Sequence, residues 1–273
     1  MSSPVCLPSI SKELLADLTI AHQLADLADA LTSEKFQTLG LKVETKPDLT
    51  PVTEVDRGVE RILRDHLLSA LPDDAVIGEE FPNTGNSNRS WVIDPIDGTK
   101  NYVRGVPVWA TLIALLIDGE PVIGVVSAPA LNRRWWAAKS GGAFVGSVDH
   151  SGFIGKQIKV SKVTNLSDAS LSISDLGTDP TSKYAAGFGA LTNQVWRTRG
   201  YGDFWQHCLV AEGAIDLAAE PQVALWDLAP LAIIVEEAGG RFSGLNAVRG
   251  PDQGTALSSN GALHEAALKA INA

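Results

Sequence analysis

Two apolar, β-rich runs joined by a two-residue turn signal constrain the fold more than any other feature of the sequence. Residues 108–117 and 122–128 are rich in valine, leucine and isoleucine, and Asp118-Gly119 lies between them. An Asp-Gly step between two such runs is the strongest short signal for a β-hairpin, because both residues tolerate the positive φ of the tight turn. The sequence therefore predicts two antiparallel, neighbouring strands at the centre of the chain.

Helical and strand patterns alternate on both sides of this hairpin. Residues 9–36 form an amphipathic helix pattern with Ser9 as its predicted cap. Thr53 and Asp56 form a capping-box-like start for a second helix, which stops at Leu71-Pro72. Further strands are predicted at residues 75–78, 91–93, 134–138, 157–160, 171–174 and 215–219, and further helices at 182–192, 203–213 and 227–238. The alternation predicts one domain over residues 1–273 with helices and sheets in layers, an N-terminal α+β part to about residue 150 and a C-terminal α/β part from about 151.

Charge and composition exclude several classes of protein. The chain has 22 basic and 32 acidic residues and a net charge of −10, so it lacks the positive field that a nucleic-acid groove needs. The longest apolar run, residues 110–117, is far shorter than the ~18 residues of a membrane span. Cys6 and Cys208 form no disulfide framework, and the N-terminus lacks the pattern of a signal peptide. We expect a cytoplasmic protein with neither a nucleic-acid nor a membrane partner.

The segment WVIDPIDGT, residues 91–99, carries the densest chemistry. An apolar strand ends in Asp94, and Asp97 follows three residues later. Two carboxylates so close repel each other unless a cation lies between them, and hard oxygen ligands favour magnesium or calcium over zinc. The N–H groups of Gly98 and Thr99 can receive an anion such as phosphate. Taken alone, the segment also fits a turn in which Asp97 and Thr99 are caps and Asp94 only ends a strand.

Four stretches, in order, resemble the motifs of the inositol monophosphatase family of magnesium-dependent phosphatases. They are residues 48–56 (DLTPVTEVD), 77–80 (IGEE), 91–103 (WVIDPIDGTKNYV), and 226–230 (WDLAP) with 236–240 (EEAGG). Four motifs in order are far more specific than any one of them, and together they favour the chemical interpretation of the two aspartates. The resemblance implies a layered αβαβα sandwich with a metal cluster at strand ends between its two parts.

The resemblance also implies the ligands of that cluster. Glu79, Asp94 and the Ile96 carbonyl would hold one Mg²⁺, and Asp94, Asp97 and Asp227 would hold a second. Two divalent cations offset the local negative charge and attract a phosphate dianion in spite of the acidic chain.

Catalytic roles follow from the same resemblance. Gly98 and Thr99 would contact the substrate phosphate, Thr99 with Asp56 would position the attacking water, and Glu79 would act through its metal. Two structural alternatives stay open at this point. Asp56 could serve only as the capping acid of its helix, and Asp227 only as the N-cap of the helix that follows it.

Substrate choice depends on two further segments, residues 99–111 and 199–205, which look most like the histidinol-phosphate phosphatase branch of the family. Asp203 and Glu220 are predicted to bind the ammonium and imidazole of the substrate, because a cationic amine favours carboxylates. Arg199 is predicted to assist phosphate binding, unless it only pairs with the acidic surface. The structural alternatives are an N-cap role for Asp203 and a surface position at a strand end for Glu220.

The sequence therefore predicts a magnesium-dependent phosphomonoesterase that hydrolyses L-histidinol phosphate to L-histidinol and phosphate. An inositol monophosphatase or a broad sugar phosphatase is the alternative within this class, and a non-catalytic metal- or phosphate-binding regulator is the alternative outside it. The resemblance implies two Mg²⁺ and a homodimer. A third ion is possible if the loop with Lys46 and Asp48 binds one rather than closing over the site or serving as a surface loop.

Overall fold

Two β-sheets, with helices between them and on both outer sides, make up the fold. The computed structural model describes residues 10–38, 42–45, 51–148, 154–174 and 183–273. Ser9, Lys46 and Asp48, for which the sequence suggested roles, lie outside the described residues. Among the described residues, no helix is both long enough and apolar enough to cross a lipid bilayer.

The larger sheet has seven strands in the order β3-β4-β5-β6-β7-β8-β9. Their bounds are β3 Ala75–Gly78, β4 Arg89–Asp97, β5 Ala110–Ile117, β6 Glu120–Ala128, β7 Arg133–Ala138, β8 Gly142–Gly146 and β9 Lys156–Ile158. The predicted hairpin is confirmed as β5 and β6, and its turn residues Asp118 and Gly119 have φ of 52° and 81°. Only β3 and β4 are parallel neighbours in this sheet. A short ribbon of β1 Val43–Thr45 and β2 Pro51–Thr53 precedes the sheet.

Two helices that pack on each other, α1 Lys12–Lys35 and α2 Glu54–Ala70, cover the outer face of the seven-stranded sheet. The prediction of Ser9 as the cap of α1 is wrong, because Ser11 has the extended backbone of an N-cap and its hydroxyl accepts the Leu14 N–H at 3.1 Å. The predicted capping box of α2 is confirmed at Thr53 and Asp56.

The smaller sheet has five strands in the order β11-β10-β12-β14-β13, with bounds β10 Ser170–Ile173, β11 Arg197–Arg199, β12 Leu217–Glu220, β13 Arg241–Ser243 and β14 Ala256–Ser259. Helices α5 Asp203–Ala211 and α6 Leu225–Glu237 lie between the two sheets and share one apolar core with both. Helices α4 Ala185–Thr192 and α7 His264–Ile271 pack on the far face of the smaller sheet. The layers therefore run αβαβα, as the resemblance implied.

An irregularity in β4 determines how Asp94 and Asp97 are placed relative to each other. Strand β4 pairs antiparallel with β5, and the register shifts between Asp94, opposite Leu112, and Asp97, opposite Ala110. Residues three apart in a regular strand face opposite sides of a sheet. The extra residue of this bulge allows both carboxylates to face the same region, and the Thr111 hydroxyl holds the bulge by donating to the Pro95 carbonyl at 2.8 Å.

Candidate metal centre and active site

Three aspartates converge at one end of β4. Asp94 and Asp97 come from the bulged end of this strand, and Asp227 comes from the first turn of α6. One carboxylate oxygen from each lies within 4.8 Å of the others. Glu79 directly follows β3, the parallel neighbour of β4, and its carboxyl hydrogen-bonds to Asp94. The structure thus brings together the four carboxylates that the sequence singled out.

Backbone donors fix the direction of these side chains. Each of the three aspartates accepts one backbone N–H, from Ile96 to Asp94 at 3.0 Å, from Phe204 to Asp97 at 2.7 Å, and from Ala224 to Asp227 at 2.8 Å. A carboxylate has two oxygens and about four lone pairs, so these bonds leave capacity for a ligand. The side chains are positioned by the main chain before any ligand binds.

The cluster carries more negative charge than its surroundings can stabilise. Burial and the charges of Glu79 and Asp227 raise the pKa of Asp94 well above its ordinary value. Burial and the charges of Asp203 and Asp227 do the same to the pKa of Asp97. The pKa of Asp227 rises to about 7, mainly through burial, although the Ala224 N–H opposes the rise. A divalent cation would relieve this repulsion, so the donor set fits magnesium or another hard cation.

The Ile96 carbonyl, the remaining predicted ligand, lies in the same bulge. It accepts the Thr99 hydroxyl at 2.9 Å, and a carbonyl oxygen has a second lone pair for a cation. All donors of the candidate centre are therefore oxygen atoms, which is the ligand chemistry that magnesium prefers.

Asp56 has both of the roles that the sequence left open. It is fully buried, and one of its oxygens accepts the backbone N–H and the hydroxyl of Thr53 in the capping box. Its other oxygen lies 3.2 Å from the Thr99 hydroxyl and shares the single hydrogen of that hydroxyl with the Ile96 carbonyl. Burial, assisted by the charge of Glu79, raises the pKa of Asp56. The helix cap therefore holds the carboxylate that contacts Thr99.

The position of Gly98 accommodates only a glycine. Its φ is 81°, and a Cβ there would lie 2.9 Å from the Val108 carbonyl and 3.2 Å from a carboxylate oxygen of Asp203. Gly98 is also the N-cap of the short helix α3, Thr99–Val103. The Gly98-Thr99 peptide therefore lies between the metal-ligand candidates and Asp203.

Asp203 and Glu220 lie beside the cluster. Asp203 is the first residue of α5, with Gly202 as the N-cap, so the N-cap alternative for Asp203 is wrong. Its carboxylate accepts the Asn101 amide at 3.1 Å, and its pKa rises to about 6 through burial and the charge of Glu220. Glu220, at the end of β12, is 8% exposed, so the surface alternative is wrong as well. The two acids form a negatively charged corner next to Asp97.

Arg199 lies apart from the carboxylates. It ends the edge strand β11, its side chain is exposed, and its guanidinium donates to the Thr198 carbonyl at 2.7 Å. Its predicted contact with phosphate stays a prediction.

A buried residue that the sequence did not indicate, Glu60, holds the turn that carries Glu79. Glu60, on α2, is fully buried and accepts the Glu80 N–H at 2.7 Å and the Arg64 guanidinium at 2.8 Å. A Cβ on Gly78 would overlap the Glu60 carboxylate, so the glycine allows this close approach. The helical pattern of α2 also predicts a buried Ile62, and this prediction is wrong, because Ile62 is 40% exposed. The Glu60–Arg64 spacing of four residues was the signal available.

Helix α6 begins two residues earlier than the sequence predicted. Asp227 is its third residue rather than its N-cap, and Ala224 has the extended N-cap backbone. An acid at this third position caps a helix by accepting the N-cap N–H. Asp227 therefore combines this structural role with its place in the cluster.

Comparisons with known proteins agree with this geometry. The model of the inositol monophosphatase family matches residues 14–273. Histidinol-phosphatase from Streptomyces coelicolor is 55% identical over 264 residues, which cover 95% of this chain and 98% of that protein. Histidinol-phosphatase from Mycobacterium tuberculosis is 55% identical over 258 residues, 94% of this chain and 98% of that protein. A solved structure of an inositol monophosphatase from Zymomonas mobilis superposes with a TM-score of 0.82 at 30% identity, and covers 96% of this chain and 100% of that one.

Proposed function

The chain belongs to the inositol monophosphatase family, and from this premise we propose that it hydrolyses L-histidinol phosphate to L-histidinol and phosphate with magnesium as cofactor. The observation that carries the proposal is the 55% identity to two histidinol-phosphatases over nearly their whole length. The convergence of the acidic side chains supports a metal-dependent phosphomonoesterase rather than a non-catalytic binding protein.

The metal ligands in this proposal are the Ile96 carbonyl and the carboxylates of Glu79, Asp94, Asp97 and Asp227, which would hold two Mg²⁺. When bound, the ions supply positive charge for the phosphate and make water more acidic. Asp94 would belong to both ligand sets, because its carboxyl hydrogen-bonds to Glu79 and also interacts electrostatically with Asp227.

Thr99 and Asp56 orient the attacking water. With the Ile96 carbonyl turned to a cation, Asp56 would accept the one hydroxyl hydrogen of Thr99, and a lone pair of that hydroxyl oxygen would remain for a water O–H. The water oxygen bonds to phosphorus as the ester P–O bond breaks on the opposite side. The proton that the attacking water gives up balances the proton that the leaving alkoxide of histidinol takes up from solvent. The capping box keeps Asp56 in place during this step, which favours a reactive orientation.

Asp203 and Glu220 recognise the cationic end of the substrate. They lie beside Asp97, whose pKa both charges raise, so this corner favours a positively charged group. Histidinol phosphate carries an ammonium group, whereas a polyol phosphate carries only hydroxyls. Charge–charge hydrogen bonds therefore distinguish the two kinds of ester.

Three further properties belong to the proposal. A third Mg²⁺ would require the segment with Lys46 and Asp48. A homodimer is proposed from the family resemblance. A cytoplasmic location is proposed because the proposed substrate is a small biosynthetic metabolite.

The test is phosphate release from histidinol phosphate, inositol 1-phosphate, fructose 1,6-bisphosphate and glycerol phosphate, each with magnesium and with EDTA. We expect the highest kcat/KM on histidinol phosphate and no release in EDTA. A higher kcat/KM on inositol 1-phosphate would replace the proposal with the inositol monophosphatase alternative. No release from any ester would favour the non-catalytic one.

A further inference from the structure

Glu220 is held by side chains that no catalytic role explains. One of its oxygens accepts the Gln206 amide at 2.8 Å and lies 2.9 Å from His207 Nε2, and the other accepts the Ser174 hydroxyl at 2.9 Å. His207 is fully buried, and its Nδ1 lies 2.6 Å from the Ser258 hydroxyl. These residues come from the ends of β10 and β12, from α5 and from the middle of β14.

The bonding pattern defines the role of the imidazole. A carboxylate oxygen accepts only, so His207 Nε2 donates to Glu220. Nδ1, on the other side of the ring, lies within hydrogen-bond distance of the Ser258 hydroxyl. Both ring nitrogens are satisfied in a fully buried position.

The donors to Glu220 hold its carboxylate in one direction. A serine hydroxyl, a glutamine amide and an imidazole N–H all donate to its two oxygens. In the described part of the chain, no lysine or arginine forms an ion pair with Glu220. The carboxylate is therefore fixed in direction, and its remaining lone pairs are available to a cationic ligand.

A Ser-His-Glu hydrolase triad does not explain the arrangement. Ser258 is fully buried, and its strand β14 lies between β12 and β13. A nucleophile must reach its substrate, and this hydroxyl cannot. The order of the ring nitrogens is also reversed, since in the serine-protease triad Nε2 faces the serine and Nδ1 the acid.

We propose that His207, with Gln206 and Ser174, is a positioning residue that holds Glu220 for the cationic end of the substrate. The proposal rests on the proposed function, because it assigns Glu220 to the ammonium or imidazole of histidinol phosphate. His207 touches no substrate atom in this account. It acts on binding through Glu220 and leaves the metal ligands unchanged.

Two variants at His207 test the proposal. His207→Phe removes the donor, and His207→Gln restores an amide N–H near the position of Nε2. Because a hydrogen bond to a charged group is worth about tenfold or more in an equilibrium constant, we expect His207→Phe to raise KM for histidinol phosphate about tenfold. We expect kcat to stay within about twofold and KM for glycerol phosphate to stay unchanged, because the lost interaction is one of ground-state binding. His207→Gln should recover most of the affinity.

Ser174→Ala provides a second test if His207→Phe does not fold. It removes a different donor to Glu220 at a partly exposed strand end and should raise KM for histidinol phosphate alone, by several-fold. Ser170→Ala, at the opposite end of the same strand, is the matched control and should change neither KM.

An equal rise of KM for both esters, or an unchanged KM for histidinol phosphate in the folded His207 and Ser174 variants, would overturn the proposal. Failure of the parent enzyme to hydrolyse histidinol phosphate would instead refute the proposed function. The unsubstituted protein is therefore measured first.

Discussion

Asp94 is the residue on which the candidate metal centre depends most. It is the most buried of the clustered aspartates, and it contacts Glu79 while interacting electrostatically with both other aspartates. Removal of its charge weakens every cation site that the cluster can form.

Asp94→Asn is expected to abolish turnover and to leave the fold intact. Asparagine has the same shape but lacks the charge, so repulsion within the metal-free cluster decreases while metal affinity is lost. Phosphate release at saturating magnesium measures turnover, and the thermal unfolding midpoint in EDTA shows whether the fold is intact. Activity within about tenfold of the parent would contradict the assignment.

Gly78→Ala is expected to weaken magnesium binding without removing any ligand. The new Cβ would overlap the Glu60 carboxylate and lie 2.9 Å from the Arg64 guanidinium. The Glu60 side chain must then move, and its hydrogen bond to the turn that carries Glu79 is lost. Loss of such a supporting contact lowers metal affinity by about tenfold or more. Calorimetric titration with magnesium measures it.

A matched glycine variant shows whether that effect is specific. A Cβ on Gly189, in α4, would meet nothing within 4 Å. Gly189→Ala should leave magnesium affinity unchanged, and equal affinities for both variants would exclude a positioning role for Glu60.

The candidate metal ligands could be predicted from the sequence, but the buried residues that support them could not. Glu79, Asp94, Asp97 and Asp227 belong to recognisable motifs, and the structure brings them together. The buried Glu60 and His207 escaped because hydrophobic periodicity treats polar residues as exposed. Apart from the Glu60–Arg64 spacing, the partners of both residues are distant in the chain, so no local pattern records them.

At the scale of elements, helix α6 links the metal site to the interior of the molecule. It carries Asp227 on its first turn and packs between the two sheets. Gly124 in β6 allows the close approach, because a Cβ there would lie 2.5 Å from the Pro230 carbonyl and 2.7 Å from Ile233. The position of Asp227 thus depends on packing one turn further along the helix.

Gly124→Ala is expected to destabilise the protein and to weaken magnesium binding together. Overpacking of a buried contact costs about 1–3 kcal/mol, and a displaced α6 moves Asp227 away from the other aspartates. Urea unfolding in EDTA gives the free energy, and magnesium titration gives the affinity. An unchanged free energy of unfolding would show that α6 does not need this contact.

Most long elements were predictable, and so were the short strands β3 and β10, whereas several other short strands were not. The hairpin β5–β6 and helix α2 carry strong local signals, namely the Asp-Gly turn and the capping box. The four-residue β14 and the bulge of β4 do not, since their geometry is set by neighbouring strands. The bulge is nevertheless what brings Asp94 and Asp97 together, so tertiary pairing decides the most important local feature of the site.

For the whole molecule, the acidic cluster links stability to pH and magnesium. The pKa of Asp227 is about 7, that of Asp203 is about 6, and those of Asp94 and Asp97 lie well above their ordinary values. The folded state therefore binds more protons than the unfolded chain above about pH 4, and linkage makes stability fall as the pH rises through these values.

Metal-free protein is accordingly expected to lose thermal stability from pH 6.5 to 8. Two buried histidines, His22 and His264, have pKa values lowered to about 3 and about 4. They make stability rise with pH, but only below the ordinary histidine pKa of about 6.5. Magnesium binds the ionised carboxylates, so the increase in unfolding midpoint that it produces should grow with pH. A magnesium increment that is independent of pH, or equal in Asp94→Asn, would contradict this linkage.

The layered architecture follows from the family resemblance, and the structure confirms it. The αβαβα order depends on contacts between parts of the chain far apart in sequence, which alternating patterns alone could not specify. The shared core of α5, α6 and both sheets explains why the proposed metal ligands, from the turn after β3, from β4 and from α6, meet next to Asp203 and Glu220.

We propose that a magnesium-dependent carboxylate cluster and an adjacent acidic corner together select a cationic phosphate ester. The decisive experiment is a competition in one vessel between equal concentrations of histidinol phosphate and inositol 1-phosphate, followed by ³¹P NMR with magnesium and with EDTA. We predict that histidinol phosphate is consumed first with magnesium and that both esters persist in EDTA. Earlier consumption of inositol 1-phosphate, or equal hydrolysis in EDTA, would contradict the account.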